Sequence, residues 1–408
     1  MKRPDHAIHS LIWHALIILA TGIAGCAGPD QRDAELSRAL TGGYRSGETV
    51  AVLLPETGRF AGAAQALKDG ILAARGADAQ DKRPELRFYD TSNSQSATAL
   101  VRQAAADGAR FVIGPLQKQA VEELARAADL PIPVLALNRI SSSSKLPANL
   151  FQYSLAPEDE AADAAKKAWN AGHRSSLMLY PDSPWGNRIA RGFSQQWAAL
   201  GGRLTASEIY DPNQSDFTRP ITKLSGGSGN ADLLFLVATH QVAREIAPQI
   251  RTLSPYDLPI YSTSHIYRGS FDLQADQPLV GLYFVDIPWL VAPDPGDAVS
   301  RERLKRSIPG MKDSYIRLYA MGIDAYRLAP RLGWMASSRD AAMYGKTGQL
   351  RLDNQRNIVR QLTLATMKPS GPELAATNAH LREPPGQQAL LDPVLAAQGT
   401  SGLAAVRR

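Results

Sequence analysis

A chain of 408 residues with a single cysteine and a formal net charge of +6 excludes several classes of protein. One cysteine cannot form an intrachain disulfide or a thiolate metal site, and no Lys/Arg cluster interleaved with aromatic residues indicates a nucleic-acid partner. With 44% hydrophobic residues, the chain is long enough to build two domains with ordinary apolar cores.

The first 25 residues have the features of a bacterial export signal. Lys2 and Arg3 come first, and a mostly apolar run follows from Leu11 to Gly25. This run is shorter than the about 20 apolar residues of a comfortable bilayer span, and it ends in small residues. We therefore predict that residues 1–25 are a signal peptide.

Cys26 directly follows this run, in the motif "IAGC". The motif resembles the lipobox of bacterial lipoproteins, in which the cysteine is acylated and becomes the first residue of the mature chain. Residue 27 is Ala and not the Asp that usually retains such lipoproteins at the inner membrane. The resemblance therefore implies a lipid anchor at Cys26, on the periplasmic face of the outer membrane. The alternative is an ordinary signal peptide with an incidental cysteine.

A regular pattern of apolar runs and amphipathic segments begins at Thr49, after a polar, glycine-bearing stretch at 26–47 that we interpret as a lipidated tether. The predicted elements, in order, are strand "TVAVLLP", helix "FAGAAQALKDGILAAR", strand "LRFYD", helix "SATALVRQAAADG", strand "RFVIG", helix "KQAVEELARAAD" and strand "IPVLAL". This alternation predicts a parallel sheet, because each parallel neighbour needs a crossover connection.

A second series of the same kind follows "LFQYSLAPEDE" and runs to the strand "GLYFVDIP". A long helix, "SYIRLYAMGIDAYRLAPRL", and a late strand, "GQLRLD", come after it. One sheet of about a dozen strands would be unusually large, so we predict two Rossmann-like α/β lobes with parallel sheets. Residues 369–408, rich in Pro, Gly, Ala and Gln, predict a disordered tail.

Four residues follow the carboxyl ends of predicted strands: Gly58, Gly114, Pro115 and Asn138. Ligands of open parallel sheets bind at these ends, where N–H groups at helix starts can hold an anion. The alternative is that glycine and proline only turn the chain here.

Three aromatic residues, Tyr153, Trp185 and Tyr283, are candidates for a cleft between the lobes, although aromatic residues at such spacing more often lie in a core. Asp159 and Glu160 follow a proline and favour the start of a helix.

No segment carries a convincing catalytic motif. "YGKT" at 344–347 lacks the first glycine, the preceding strand and the following helix of a phosphate-binding loop. A G-x-S-x-G elbow and an H-E-x-x-H pair are absent from the sequence. We therefore predict a protein that is not an enzyme, with no catalytic residue, no metal and no cofactor.

Several segments resemble the type I periplasmic binding proteins, and more narrowly the LppC family of penicillin-binding protein activators. They lie in order between residue 50 and about residue 363, and include "VAVLLPETGRFAGAAQALKDGILAA", "FVIGPLQKQAVEELA", "PVLALN", "FQYSLAPEDEA", "SPWGNRIARGFSQQW", "LYAMGIDAYRL" and "GKTGQLRLDNQRNIVRQL".

This resemblance implies a two-lobed, Venus-flytrap-like fold in which the chain crosses between the lobes three times. The implied crossings lie near Ser154, Pro288 and Gly345. The implied lobes are lobe one at 48–153 plus 288–345, and lobe two at 154–287 plus 346–368.

Family members are outer-membrane lipoproteins that contact and stimulate a class A penicillin-binding protein. The resemblance thus implies a non-enzymatic regulator of peptidoglycan synthesis. Longer members carry a helical-repeat domain before this fold, whereas we expect only the tether at 26–47 here.

The alternative function is a solute receptor for amino acids or amides that feeds an ABC transporter. Receptors of this kind present a cleft carboxylate to the ligand's amine, and Asp286 is the candidate here. Under either hypothesis, the cleft is a candidate site for a small molecule or a peptidoglycan fragment. An envelope hydrolase is a third hypothesis without a supporting motif.

Overall fold

The computed structural model describes residues 43–375, except 94, 141–144, 227–228, 256 and 339. The predicted signal peptide, Cys26 and most of the predicted tether lie outside the described residues, as does the predicted tail from residue 376 onward. None of the described helices is long and apolar enough to cross a lipid bilayer.

The described chain contains fifteen strands, which we number in chain order. They are β1 Thr49–Leu54, β2 Glu85–Asp90, β3 Ala109–Ile113, β4 Val134–Ala136, β5 Leu150–Tyr153, β6 Ser175–Pro181, β7 Arg203–Tyr210, β8 Leu233–Leu236, β9 Ile260–Ser262, β10 Tyr283–Asp286, β11 Ala342–Gly345, β12 Gly348–Leu352, β13 Asn357–Gln361, β14 Thr363–Lys368 and β15 Gly371–Leu374.

Eleven α-helices connect or flank these strands in the described residues. They are α1 Ala61–Ala77, α2 Ala97–Ala106, α3 Lys118–Ala125, α4 Pro157–Asn170, α5 Pro184–Ala199, α6 Thr218–Gly226, α7 His240–Leu253, α8 Pro288–Val291, α9 Arg301–Ser307, α10 Ile316–Leu328 and α11 Leu332–Ser337.

Two sheets form the centres of two α/β lobes, as predicted. The first has the order β11-β12-β13-β5-β4-β3-β1-β2, and the second has the order β15-β14-β10-β9-β8-β6-β7. Both are mixed sheets, because β11, β12 and β13 pair antiparallel in the first and β14 pairs antiparallel with β10 and β15 in the second. Most strands are parallel as predicted, and the antiparallel strands at one end of each sheet are an addition to the predicted pattern.

Strand β1 shows why the sequence folds in this way. All six of its residues are buried, since helices cover both faces of the sheet. Val50 and Val52 join the core under α1, while Ala51 and Leu53 join the separate core under α2 and α3. Successive side chains of a strand point to opposite faces, so one apolar run supplies both cores.

The third crossing between the lobes does not lie near Gly345. Strands β12 and β13 continue the first sheet, and Asn357 of β13 pairs with Gln152 of β5, so the chain crosses at Leu362. The crossing was predicted too early in the sequence. Antiparallel hairpins need no helix between their strands, so the sequence does not show that β12 and β13 stay in the first sheet. Residues up to Gln361 therefore belong with lobe one.

Two segments predicted to lie outside the fold belong to it. Strand β15, within the predicted tail at 369–408, pairs with β14 through a tight turn. Tyr44, within the predicted tether, is 6% exposed and donates a hydrogen bond to the Tyr326 carbonyl oxygen at 2.6 Å. Its ring also packs edge-on against Phe111 of β3.

Helices α1 and α10 cross at very short distance in lobe one. A Cβ atom on Gly322 of α10 would lie 2.2 Å from the Leu67 carbonyl oxygen, and one on Gly70 would lie 2.2 Å from the Tyr319 carbonyl oxygen. Both contacts are with rigid helix backbone, so only glycine permits this approach.

We expect Gly322→Ala to lower the free energy of unfolding by about 1–3 kcal/mol, because the two helices must separate to admit the methyl group. Urea denaturation of the full chain measures the change. Gly333→Ala is the matched control, since Gly333 is exposed on α11 with open space around it and should gain up to about 1 kcal/mol. Equal stability of the Gly322→Ala variant and the wild type would contradict this packing argument.

Candidate functional site

The three crossings between the lobes each carry an arginine–carboxylate contact. In every case the arginine belongs to lobe one (residues 43–153 and 288–361) and the carboxylate to lobe two (residues 154–287 and 362–375). The pairs are Arg139 with Asp159, Arg317 with Asp286, and Arg360 with Glu160. The hinge between the lobes is therefore an interface of complementary charge.

The Arg317–Asp286 pair joins the start of α10 to the end of β10. Arg317 donates to both Asp286 oxygens, at 2.9 and 2.5 Å, and also to the carbonyl oxygens of Ser264 and Tyr267. Asp286 is fully buried. Burial raises the pKa of Asp286, and the neighbouring guanidinium acts in the opposite direction. The carboxylate that we considered for a ligand's amine is thus occupied by a side chain of the protein itself.

The Arg360–Glu160 pair lies deeper, where both side chains are at most 3% exposed. Glu160 also accepts a hydrogen bond from the Ser264 hydroxyl at 2.7 Å. Burial acts to raise the pKa of Glu160, but the charges of His265, Arg360 and Arg317 and the Ser264 hydrogen bond together hold the pKa below its ordinary value. Glu160 therefore does more than start helix α4, which was our interpretation from sequence.

The Arg139–Asp159 pair is the outermost of the three. Arg139 follows β4 and forms a bidentate pair with Asp159 in the first turn of α4, at 2.8 and 2.9 Å. Both side chains are about a quarter exposed. This pair lies beside an open cleft between the two lobes.

The cleft has a volume of about 740 Å³ and draws its walls from both lobes. Its size falls within the range of natural ligand sites. Its apolar part is formed by leucine and methionine side chains, and its charged part by four basic residues and one acidic residue. These residues are Leu116, Leu137, Leu155, Leu318 and Met321, with Lys118, Arg139, Arg188, Arg191 and Glu158.

The basic residues of the cleft are only partly neutralised. Arg188 of α5 donates to both oxygens of Glu158, at 2.8 and 2.7 Å. Lys118 and Arg191 are exposed and have no carboxylate partner among the described residues. The cleft therefore carries a net positive charge.

Of the predicted strand-end residues, Asn138 lines the cleft. Its side chain serves the local loop, since its amide donates to the Leu116 carbonyl oxygen and its oxygen accepts from the Arg139 N–H. Gly58 is exposed in the loop after β1 and does not line the cleft. Gly114 and Pro115 are buried, joined by a cis peptide, and a Cβ atom on Gly114 would lie 2.1 Å from the Leu53 carbonyl oxygen. For Gly114 and Pro115 the structure favours the turn interpretation.

The three aromatic candidates and Asp286 do not line the cleft. Tyr153 has no exposed surface, and its hydroxyl contacts Thr347 and Asp324 in the interior. Trp185 packs edge-on against His265, with ring centroids 5.0 Å apart. Tyr283 stacks on Tyr261 at 5.0 Å. Tyr153 is therefore a core residue, which agrees with the alternative interpretation. Trp185 and Tyr283 are partly exposed outside this cleft, and their place at a cleft stays a prediction.

The "YGKT" segment has a structural role. It forms the turn between β11 and β12, where the Lys346 and Thr347 N–H groups each donate to the buried Asp324 carboxylate at 2.7 Å. Burial raises the pKa of Asp324, while these hydrogen bonds oppose the shift. The amides that a phosphate loop would offer to a ligand are used by a carboxylate of α10.

Sequence reasoning missed the basic side chains of the cleft. A usable signal was present, because Arg188, Arg191 and Gln195 recur at spacings of three and four residues in a predicted helix and so share one face. Arg139, directly after "LALN", had no such pattern.

Within the described residues, no group of three or more His, Cys, Asp or Glu side chains could hold a metal ion.

We expect Arg317→Met to cost about 3–5 kcal/mol at pH 7, because it leaves the buried Asp286 without a partner. Without Arg317, the folded-state pKa of Asp286 rises further. A raised carboxyl pKa stabilises the fold only below the unfolded value of about 3.9 and loses that contribution as the pH rises. The deficit relative to wild type should therefore shrink as the pH is lowered from 7 toward 4.

Urea denaturation of the full chain at several pH values measures this deficit. The double variant Arg317→Met/Asp286→Asn should recover much of the lost stability, since no buried charge remains. A pH-independent loss in the single variant, unchanged in the double variant, would show that the pair does not hold the hinge.

Comparison with known proteins identifies relatives of this chain. The profile of the family described as "LppC putative lipoprotein" matches residues 34–369. The penicillin-binding protein activator LpoA of Photobacterium profundum is 30% identical over 352 residues, which cover 79% of this chain and 56% of the relative. This chain spans about half the length of the curated relatives it matches.

Solved structures share its fold. The "LpoA (YraM) C-domain from Haemophilus influenzae, a regulator of PBP1A" matches with a TM-score of 0.67 and 26% identity, over 80% of this chain and 100% of that chain. A "putative branched-chain amino acid ABC transporter" from Chromobacterium violaceum matches with a TM-score of 0.64 and 29% identity, over 78% of this chain and 100% of that chain. The two-lobed architecture is thus that of the periplasmic binding proteins, and the chain belongs to the LppC lipoprotein family.

Proposed function

We propose that this chain is a non-enzymatic envelope lipoprotein that binds and activates a class A penicillin-binding protein and so regulates peptidoglycan synthesis. The observation that carries the proposal is the similarity to proteins named as penicillin-binding protein activators, at about 30% identity over most of the chain. The structural relative from Haemophilus influenzae is likewise described as a regulator of PBP1A.

The ion pair at the hinge argues against a receptor for amino acids. A receptor for amino acids needs a carboxylate that is free to meet the ligand's amine. Asp286, the residue considered for this role, is fully buried and bound by Arg317. Releasing it for a ligand would leave Arg317, itself about one-fifth exposed, without its counter-charge.

The solute receptor remains the second candidate, because the Chromobacterium violaceum protein described as a "putative branched-chain amino acid ABC transporter" has the same fold at 29% identity. It predicts stabilisation by a free amino acid or amide, of about 2.7 kcal/mol at a hundred times the dissociation constant. A thermal-shift screen with amino acids, amides and muropeptides tests it. The activator hypothesis predicts no such shift with amino acids.

The proposed location is the periplasmic face of the outer membrane, with a lipid on Cys26. Support comes from the "IAGC" motif after an apolar run, from Ala at position 27, and from membership of a lipoprotein family.

We expect the full chain, purified in detergent, to raise the glycan polymerisation or crosslinking rate of a class A penicillin-binding protein from the same organism. Rates on lipid II substrate, with and without the chain, measure the effect. An unrelated lipoprotein at equal concentration controls for detergent and for added acyl chains. If no class A synthase of the organism responds, the proposed function is wrong.

We expect Cys26→Ala to remove the protein from the outer-membrane fraction, because the acyl acceptor is lost. Ala27→Asp is the matched control, since it keeps the lipid but should retain the protein at the inner membrane. Membrane fractionation with immunodetection gives the result. Unchanged outer-membrane location of the Cys26→Ala protein would refute anchoring at this residue.

A further inference from the structure

We propose that the cleft between the lobes is a docking groove for an extended, acidic and aliphatic segment of a partner protein. This inference rests on the proposed function, since the partner meant is the synthase that the chain activates. It adds which surface makes the contact and what chemistry the partner presents there.

The charge of the cleft points to an acidic occupant. Arg188 and Arg191 lie one turn apart on α5 of lobe two, and Lys118 lies in the first turn of α3 of lobe one. Basic groups therefore stand on both walls. Lys118 and Arg191 have no carboxylate partner among the described residues. Arg191 Nε donates to the Asn187 carbonyl oxygen, so the Lys118 ammonium and the terminal N–H groups of Arg191 are available to a ligand. Exposed cations that face one another across a cleft attract anions and repel cationic segments.

The start of α3 adds to this attraction. Its N-cap residue, Gln117, makes no side-chain hydrogen bond to the helix, so the first N–H groups of α3 are not capped in this way. Leu116 and Lys118, on either side of Gln117, both line the cleft. The partial positive charge of a helix N-terminus thus adds to the charge of Lys118.

The apolar part of the cleft argues for a polypeptide in place of a small anion. Leu116, Leu155 and Leu318 are only partly buried and line the same space as the basic residues. Partly exposed aliphatic surface gains free energy when apolar side chains cover it, which a small hydrophilic anion cannot do. A partner segment in which acidic and aliphatic side chains alternate would match both the positive charge and the aliphatic surface of the cleft.

The hinge keeps this groove open. Three arginine–carboxylate contacts connect the lobes, one at each crossing. The buried apolar residues of both lobes also form one continuous cluster, from Val50 and Leu67 in lobe one to Phe193 and Phe235 in lobe two. Closure around a small solute would have to rotate the lobes against these contacts, whereas an extended segment binds without closure.

The test uses the full chain in detergent and a fluorescein-labelled peptide of four Glu-Leu repeats, with a Gln-Leu peptide of the same length for comparison. We expect the Glu-Leu peptide to bind and the Gln-Leu peptide to bind much more weakly. The variant Lys118→Glu/Arg191→Glu should weaken binding of the Glu-Leu peptide and of the synthase at least about tenfold, through lost attraction and new repulsion. Both side chains are exposed and neither forms an ion pair among the described residues, so the variant should unfold close to the wild-type temperature.

The matched control is Arg303→Glu/Arg306→Glu. These two arginines are exposed on α9 outside the cleft, and their reversal changes the net charge by the same amount. We expect this variant to bind the peptide and the synthase as the wild type does. Equal weakening in both variants would mean a general charge effect and would overturn the groove.

Other outcomes separate the groove from the proposed function. If the wild type activates a synthase and the Lys118→Glu/Arg191→Glu variant does so equally, the docking-groove proposal is wrong and the proposed function stands. If the wild type activates no synthase but binds the Glu-Leu peptide in a manner that depends on Lys118 and Arg191, the proposed function fails and the groove stands. Full displacement of the peptide by a muropeptide at equal concentration would replace the protein partner with a cell-wall fragment.

Discussion

The buried ion pair between Arg317 and Asp286 is the contact on which the arrangement of the two lobes depends. It joins a helix of lobe one to the last residue of the strand that leads out of lobe two, and Arg317 reaches two further carbonyl oxygens there. A buried pair of this kind gives little net stability, but breaking it is costly because an uncompensated charge remains. Its effect is therefore to select one angle between the lobes.

Three residues of helix α10 make contacts that fix the arrangement of the lobes and of the first sheet. Arg317 at its start holds lobe two, Gly322 in its middle permits the close crossing with α1, and Asp324 binds the turn between β11 and β12. These three residues lie on one helix, so the hinge, the helix pair and the hairpin share a single rigid support. The cleft, lined by Leu318 and Met321 of the same helix, takes its shape from that support.

The sequence was sufficient for the fold class and for the alternation of strands and helices, since these depend on local periodicity. It was insufficient where pairing is non-local, as for β12 and β13, because a hairpin gives the same local pattern in either sheet. The candidate site was harder for the same reason. Tyr153 and Asp286 follow the pattern of cleft residues, but their partners Thr347 and Arg317 come from distant parts of the chain, and only the folded structure shows these contacts. Asn138 lines the cleft because it directly follows a parallel strand, which local reasoning can find.

The position of Tyr44 shows at which end the chain enters the fold. Tyr44 fixes the chain just before β1, at the amino end of the parallel strands, whereas the cleft lies beyond the carboxyl ends of β3, β4 and β5. The chain therefore enters the described fold at the end opposite to the cleft. Under the proposed anchoring at Cys26, 17 residues from Ala27 to Gly43 separate the lipid from Tyr44, and a chain of this length spans at most roughly 60 Å. A partner anchored in the facing membrane would then have to extend its own domain across the remaining gap.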